Sequence, residues 1–158
     1  MTDHDIPTPG GQAALDRGLE HREIRYGKVS SVEEAAAARG VDVSAVVKSL
    51  LVRRGEDDHL LVLVPGDRSI SWPKLRELLG VSRLSMPDAD TAFAVTGYKR
   101  GTITPLGVDL PVIVDVLLVG KSITLGSGEP GVAIGLEADD LIAAYSAVVA
   151  DVTESSSD

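Results

Sequence analysis

The chain has 158 residues, a formal net charge of −9 and no cysteine. The length is that of one ordinary domain, and the lack of cysteine excludes disulfides, thiolate metal sites and a cysteine nucleophile. The acidic balance argues against broad nucleic-acid binding but leaves local contact with one RNA end open. We see no signal peptide, and the apolar runs are too short to span a bilayer, so we expect a cytoplasmic protein.

Composition and apolar periodicity divide the chain into predicted elements. Disordered tails are expected over residues 1–10 and 151–158, which leaves a single domain over 11–150. Within it the patterns predict helices over 12–20, 35–39, 72–79, 88–95 and 138–149, and strands over 23–26, 48–53, 59–64, 83–86, 112–119, 122–125 and 132–136. Because hairpins outnumber crossovers, we predict an α+β fold with a mixed sheet.

Capping residues mark two of the predicted helices. Ser31 and Glu34 have the spacing of a capping box, and Gly40 ends the helix that follows. Ser71 precedes the next helix, and Gly80 lies just past its end. These residue types favour the two helix boundaries independently of the apolar pattern.

Lys48 is an isolated charge in an otherwise apolar run, 46–52, at the start of the predicted strand over 48–53. An ammonium group is costly to remove from water, so such a lysine either extends its head from a strand edge to solvent or has a function. The sequence leaves both interpretations open.

A glycine-rich loop over residues 97–105 is the second candidate feature. Gly97 and Gly101 allow a ligand to approach the backbone closely, and Pro105 stiffens the far end of the loop. Backbone N–H groups in such a loop can hold a carbonyl oxygen or an attacking water, although a tight connection is the simpler interpretation. Together with Lys48, the loop predicts a pocket that binds an anion or polarises a carbonyl.

Two familiar phosphate-binding motifs are matched only in part. Residues 126–131 fit GxGxxG, but a predicted strand follows instead of a helix, so we interpret them as a turn between strands. Residues 120–122 read Gly-Lys-Ser, but a predicted strand precedes them where a phosphate loop would be needed. The three histidines are scattered and lack metal-ligand spacing. We therefore predict no metal and no cofactor.

In the order and spacing of several motifs, the chain resembles the YbaK/prolyl-tRNA-synthetase-associated domain family of aminoacyl-tRNA deacylases. The resemblance runs from about Tyr26 to Val149. Its motifs are Glu33-Glu34-Ala35, Val47-Lys48-Ser49-Leu50, Val64-Pro65-Gly66-Asp67, Thr96-Gly97-Tyr98, 101–107, Ile113-Val114-Asp115 and Gly126-Ser127-Gly128. It implies a mixed, partly barrel-like sheet flanked by helices, and a pocket for the aminoacylated 3′ end of tRNA.

The resemblance also implies roles for particular residues. Lys48, Gly101 and Thr102 would be catalytic, and the substrate-binding residues would be Tyr98, Thr104, Pro105, Gly126, Ser127 and Gly128. N–H groups around Gly101 and Thr102 would hold the ester carbonyl or the water. Lys48 would anchor the phosphate of the terminal adenosine or polarise the ester. We consider a general-base role for it weaker, because no second cation is apparent nearby in the sequence.

The implied activity is deacylation of a mischarged tRNA in trans. The tRNA we expect is tRNA(Pro) that carries a small amino acid such as cysteine or alanine. Prolyl-tRNA synthetase is a candidate partner, and we expect a monomer without DNA or membrane partners. Glu129-Pro130 departs from the family, since many relatives have basic residues there. The alternative is a non-catalytic module that binds a tRNA 3′ end or a small anion; a structural domain would leave Lys48 and the loop without a shared role.

Overall fold

The computed structural model describes residues 7–156. The helices in this range are α1 (Pro9–Asp16), α2 (Val32–Arg39), α3 (Trp72–Leu79), α4 (Ala89–Thr96) and α5 (Ala138–Tyr145). The strands are β1 (Arg22–Arg25), β2 (Val47–Gly55), β3 (Asp58–Pro65), β4 (Arg68–Ile70), β5 (Val112–Asp115), β6 (Ser122–Gly126), β7 (Val132–Glu137), β8 (Val148–Ala150) and β9 (Thr153–Ser155). Between residues 7 and 156, no helix is both long and apolar enough to cross a membrane.

The strands form a mixed sheet, an antiparallel sheet and a short ladder. The mixed sheet has the order β2-β3-β5-β8, in which β2 and β3 form an antiparallel hairpin and the other pairs are parallel. The second sheet has the order β1-β7-β6, and β4 pairs with β9. A parallel bridge between Val46 and Thr124 joins the two larger sheets. The α+β fold with a mixed sheet is therefore confirmed, and none of the sheets in the described range closes.

Strand β3 lies at the centre of the core. Its residues from 60 to 64 are almost completely buried, which fits a run of consecutive apolar residues in a strand covered on both faces. One apolar cluster packs the mixed sheet against β6, β7 and α5, and another packs its opposite face against α3. The core therefore fixes β2, at the outer edge of the mixed sheet, without covering that edge.

The predicted caps are present in the structure. The Ser31 hydroxyl accepts a hydrogen bond from the Glu34 amide at 3.0 Å, and Gly40 has the left-handed conformation at φ 72°. The Glu34 carboxylate accepts from the Ser30 amide, one residue before the position that a capping box uses. Gly80 closes α3 in the same left-handed conformation, with φ 67°.

The C-terminal part of the chain differs from the prediction. The helix predicted over 138–149 ends at Tyr145, and Val148–Ala150 instead forms β8, a strand that suits its β-branched residues. The tail predicted over 151–158 contains β9, and Val152 is fully buried. The reason is tertiary, because β9 pairs with β4 and Val152 fills the core.

Three smaller predictions also differ from the structure. The tail predicted over 1–10 overlaps α1, which begins at Pro9, while residues 1–6 lie outside the described range. The strand predicted over 83–86 is reduced to a bridge between Ser85 and Arg53. The strand predicted over 112–119 ends at Asp115, because its carboxylate accepts from the Leu117 amide and begins a 3₁₀ turn.

Candidate functional site

A cavity of about 260 Å³ lies along the outer edge of β2. Its walls come from the end of α2, the first half of β2, residues 86–87, α4, the loop over 100–103 and the end of β6. The edge is open here because, among the described residues, the backbone bridges on this side are limited to two, Thr124 with Val46 and Ser85 with Arg53. The fold therefore leaves the middle of an edge strand exposed to a ligand.

The open edge of β2 supplies unused hydrogen-bonding groups. Arg53 exchanges both of its backbone hydrogen bonds with Ser85, so its peptide groups point away from β3. By the alternation of antiparallel pairs, the peptide groups of Ser49 and Leu51 point the same way. The Ser49 hydroxyl is also buried and has no hydrogen-bond partner among the described residues. Buried polar groups without partners are uncommon, so a ligand in the cavity is the natural partner for them.

Lys48, which we predicted to be catalytic, lines this cavity. Its backbone pairs with Val64 and its half-buried ammonium donates a hydrogen bond to the carbonyl oxygen of Arg68. Burial lowers the pKa of the Lys48 ammonium, and the nearby Asp67 carboxylate opposes part of that shift. Because an ammonium has three N–H donors, two remain for a ligand.

Two further cations line the same cavity, Arg39 and Arg100. No second cation is apparent near Lys48 in the sequence, but the fold brings two to its cavity from α2 and from the loop. The Arg39 guanidinium donates to the Thr124 hydroxyl at 3.1 Å and to the Tyr26 hydroxyl at 3.2 Å, and its Nε is buried without a partner in the described range. None of the aspartates or glutamates that the structure describes lines the cavity. In a chain of net charge −9, the charged side chains that line this cavity are all basic.

The glycine loop contributes Gly101 to the cavity and turns Thr102 away from it. No described residue accepts a hydrogen bond from the Gly101 amide, which leaves this donor free for a ligand. The Thr102 amide instead donates to the Lys99 carbonyl at 2.9 Å, and its hydroxyl donates to the same oxygen at 2.7 Å. The predicted role of the Thr102 amide is thus not available in this arrangement, while that of Gly101 is.

The turn of small residues over 126–128 packs against the glycine-rich loop. Gly126 lines the cavity, and a Cβ there would lie 2.6 Å from the Ile103 carbonyl oxygen, so only glycine allows this approach. Gly128 donates to the Thr102 carbonyl at 2.9 Å and lines a second cavity of about 300 Å³. Ser127 is fully buried, and its hydroxyl donates to the Val132 carbonyl at 2.7 Å. Ser127 therefore holds the turn together and lines neither cavity.

The remaining predicted substrate-binding residues also lie outside the main cavity. The Tyr98 hydroxyl donates to the Leu106 carbonyl at 2.7 Å, and burial raises the pKa of this phenol, with a smaller contribution from Tyr145. Thr104 and Pro105 are buried within the loop. These side chains fix the loop shape, and a substrate role for them stays a prediction.

Sequence reasoning did not identify Arg39, Arg100 or Ser49 as site residues. Arg39 stood in a predicted helix and Arg100 in a loop, where an arginine is ordinarily a solvated surface residue. Only Ser49, next to Lys48 in an apolar strand, had a position that could have drawn attention. Within residues 7–156, no three histidine, aspartate or glutamate side chains are grouped to hold a metal ion.

Comparison with known proteins identifies relatives of this chain in sequence and in fold. A model of the aminoacyl-tRNA editing domain matches residues 27–144. The chain is 32% identical over 108 residues to a proline–tRNA ligase of Thermosipho melanesiensis, covering 68% of this chain, and 36% identical over 114 residues to that of Desulfovibrio desulfuricans, covering 72%. It spans 19% of the length of each ligase. A crystal structure of a proposed trans-editing enzyme for prolyl tRNA synthetase superimposes with a TM-score of 0.81 at 29% identity, over 92% of this chain and 95% of the other.

Proposed function

The chain belongs to the aminoacyl-tRNA editing domain family, and from that premise we propose that it hydrolyses the ester of a mischarged tRNA in trans, with water as the nucleophile. One observation carries the proposal: Lys48, Arg39 and Arg100 share a cavity with the free amide of Gly101. The 3′ end of an aminoacyl-tRNA presents phosphate groups to such cations and an ester carbonyl to such an amide. The two features therefore match the two ends of one substrate.

The reaction needs little more than positioning and charge stabilisation, because an aminoacyl ester is already activated. Water adds to the ester carbonyl, and the resulting oxyanion accepts a hydrogen bond from the Gly101 amide. The bond between the carbonyl carbon and the ribose oxygen then breaks, and the ribose oxygen takes up the proton that the attacking water loses. A donor of this kind typically accelerates acyl transfer by about 10²–10³-fold. Lys48 holds a phosphate of the terminal nucleotide through its two free N–H donors, which orients the ester against Gly101.

The substrate we propose is tRNA(Pro) carrying a small amino acid such as cysteine or alanine. Support for it comes from the modest cavity, about 260 Å³, and from its apolar walls, which include Val47, Leu51 and Ile103. The similarity to proline–tRNA ligases favours tRNA(Pro) and makes prolyl-tRNA synthetase a candidate partner. The unpartnered Ser49 hydroxyl adds a hydrogen-bonding group that serine or cysteine side chains would use.

The test is deacylation of tRNA(Pro) charged with alanine, cysteine or serine. We expect the wild type to hydrolyse at least one ester and Lys48→Ala to lose most of that activity, while Lys121→Ala, an exposed lysine outside the cavity, keeps it. No hydrolysis of any ester by folded wild type, combined with binding of an uncleavable aminoacyl-adenosine amide, would establish the non-catalytic binding module instead.

A further inference from the structure

A groove of about 570 Å³ at the far end of β2 collects four of the fifteen basic residues of this acidic chain. They are Arg53, Arg54, Arg76 and Arg83, and Glu56 is the acidic residue that shares the lining with them. The arginines come from the β2–β3 hairpin, from α3 and from the segment that follows α3. Tertiary folding alone brings them together.

Most of these guanidinium groups have no carboxylate partner. Arg54 is paired with Asp58, with 3.0 Å between Nε and Oδ2. Among described residues, the Arg53 side chain donates only to the nearby Gly55 carbonyl, and those of Arg76 and Arg83 donate to none and form no ion pair within 4.0 Å. Like charges held close together repel, so a groove of this kind is suited to a polyanion. The fork of a guanidinium matches the geometry of a phosphate.

The groove begins where the cavity of the candidate site ends. Strand β2 supplies Lys48 and its neighbours to the cavity and residues 53–55 to the groove. The segment after α3 does the same, with residues 82–85 in the groove and 86–87 in the cavity. At about 3.3 Å per strand residue, Lys48 and Arg53 are separated by about 16 Å along β2, a distance that a few nucleotides cover.

We propose that this arginine groove binds phosphates of the RNA strand whose 3′ end enters the cavity. The proposal rests on the proposed function for the identity of the ligand. It also explains how a chain of net charge −9 attracts a polyanion, since the local field of the groove and the cavity is positive although the net charge is not.

The test is binding of uncharged tRNA(Pro), measured by fluorescence anisotropy over a range of NaCl concentrations. Arg76→Gln/Arg83→Gln is compared with Arg17→Gln/Arg22→Gln, which removes the same charge from residues that line neither the groove nor the cavity. We expect the groove variant to bind at least about tenfold more weakly at low salt. The slope of its plot of log Kd against log salt concentration should be smaller than that of the wild type by about 1.4–1.8, the change expected when two phosphate contacts are lost. The control keeps the wild-type slope.

Equal slopes for the two double variants, or no tRNA binding by the wild type, would overturn the proposal. If the groove variant does not fold, Arg83→Glu replaces it, because this exposed loop residue has no described side-chain partner. The assay requires no hydrolysis. Arginine-dependent binding by a protein that hydrolyses no ester would thus overturn the proposed function and leave the groove established.

Discussion

The ammonium of Lys48 donates a hydrogen bond to the main-chain carbonyl oxygen of Arg68. Arg68 is the first residue of β4, and its own side chain donates to the Thr153 hydroxyl at 2.7 Å and to the Thr153 carbonyl at 3.2 Å. Strand β9 therefore supports the carbonyl that holds the cation. The last strand of the chain contributes to the site although none of its residues lines the cavity.

Thr153→Val tests this support. The variant keeps the shape of a fully buried side chain but removes the oxygen that accepts from Arg68 Nε. An unsatisfied buried donor costs about 1–3 kcal/mol, so we expect unfolding at a lower urea concentration and, since the Arg68 carbonyl shifts, weaker deacylation. Ser69→Ala is the control, because it removes an exposed contact between two hydroxyls, from β4 to Ser156 just after β9. Equal activity of the two variants would show that β9 does not position Lys48.

Lys48→Met separates stability from activity. Because burial lowers the pKa of Lys48 in the folded state, the unfolded state binds more protons above that lowered pKa, and stability rises with pH up to the ordinary value of 10.5. Below the lowered pKa the half-buried charge opposes folding. We therefore expect Lys48→Met to be at least as stable as the wild type at pH 7, to lack the alkaline rise in stability, and to have lost deacylation. Urea unfolding at pH 7 and pH 10 measures the first two.

The pH dependence of activity follows from the same pKa. If the charge of Lys48 holds a phosphate, deacylation relative to the uncatalysed reaction falls as pH rises through the lowered pKa, and Lys48→Arg shifts that fall to higher pH. If the ratio of the catalysed to the uncatalysed rate instead rises across this pH range, Lys48 acts as a general base. Spontaneous ester hydrolysis, measured without enzyme at each pH, is the reference.

Gly101 and Gly120 form a matched pair for testing the loop amide. Both have left-handed φ angles, 89° and 79°, and nothing lies within 4 Å of an added Cβ at either. Alanine at each should cost about 1–2 kcal/mol of stability through backbone strain. Of the two, only Gly101 lines the cavity, so the added methyl group and the strained backbone would disturb its amide where the ester binds. We therefore expect Gly101→Ala to reduce kcat about 10²-fold or more and Gly120→Ala to leave it unchanged. Because alanine keeps its amide N–H, equal kcat values would show that the reaction does not need the open space and the left-handed backbone at Gly101.

The sequence predicted the elements that local chemistry determines. The cap at Ser31, the left-handed Gly40 and the hairpin of β2 and β3 depend on residues close in the chain, and all three are present. Strand β9 was missed because Thr153–Ser155 is polar and has no apolar alternation. Its pairing depends on β4, which lies far away in the sequence.

In the candidate site, too, the residues with a local sequence signal were predicted, and those that depend on tertiary contacts were not. Lys48 stood out because its immediate neighbours are apolar, and the loop stood out because of its glycines. The Thr102 amide was misjudged because its hydrogen bond to Lys99 forms only when the turn folds. Arg39 was missed because it reaches the cavity through tertiary contacts, such as its hydrogen bond to Thr124 of β6, which no local pattern encodes.

Arg39→Met tests the most buried of the cations that the sequence did not reveal. Arg39 lines a cavity that has no lining carboxylate among the described residues, and its guanidinium forms no ion pair with them, so it is available to a phosphate of the substrate. A hydrogen bond to a charged group contributes about 1.5–3 kcal/mol, so we expect about 10- to 100-fold weaker binding of an uncleavable aminoacyl-adenosine 5′-phosphate. Arg17→Met is the matched control, since Arg17 also stacks on a tyrosine ring, 4.0 Å from the centroid of Tyr145, but does not line the cavity. The same analogue without its phosphate should bind wild type and Arg39→Met with equal affinity. If the loss of affinity in Arg39→Met is as large for this analogue as for the phosphorylated one, Arg39 recognises something other than the phosphate.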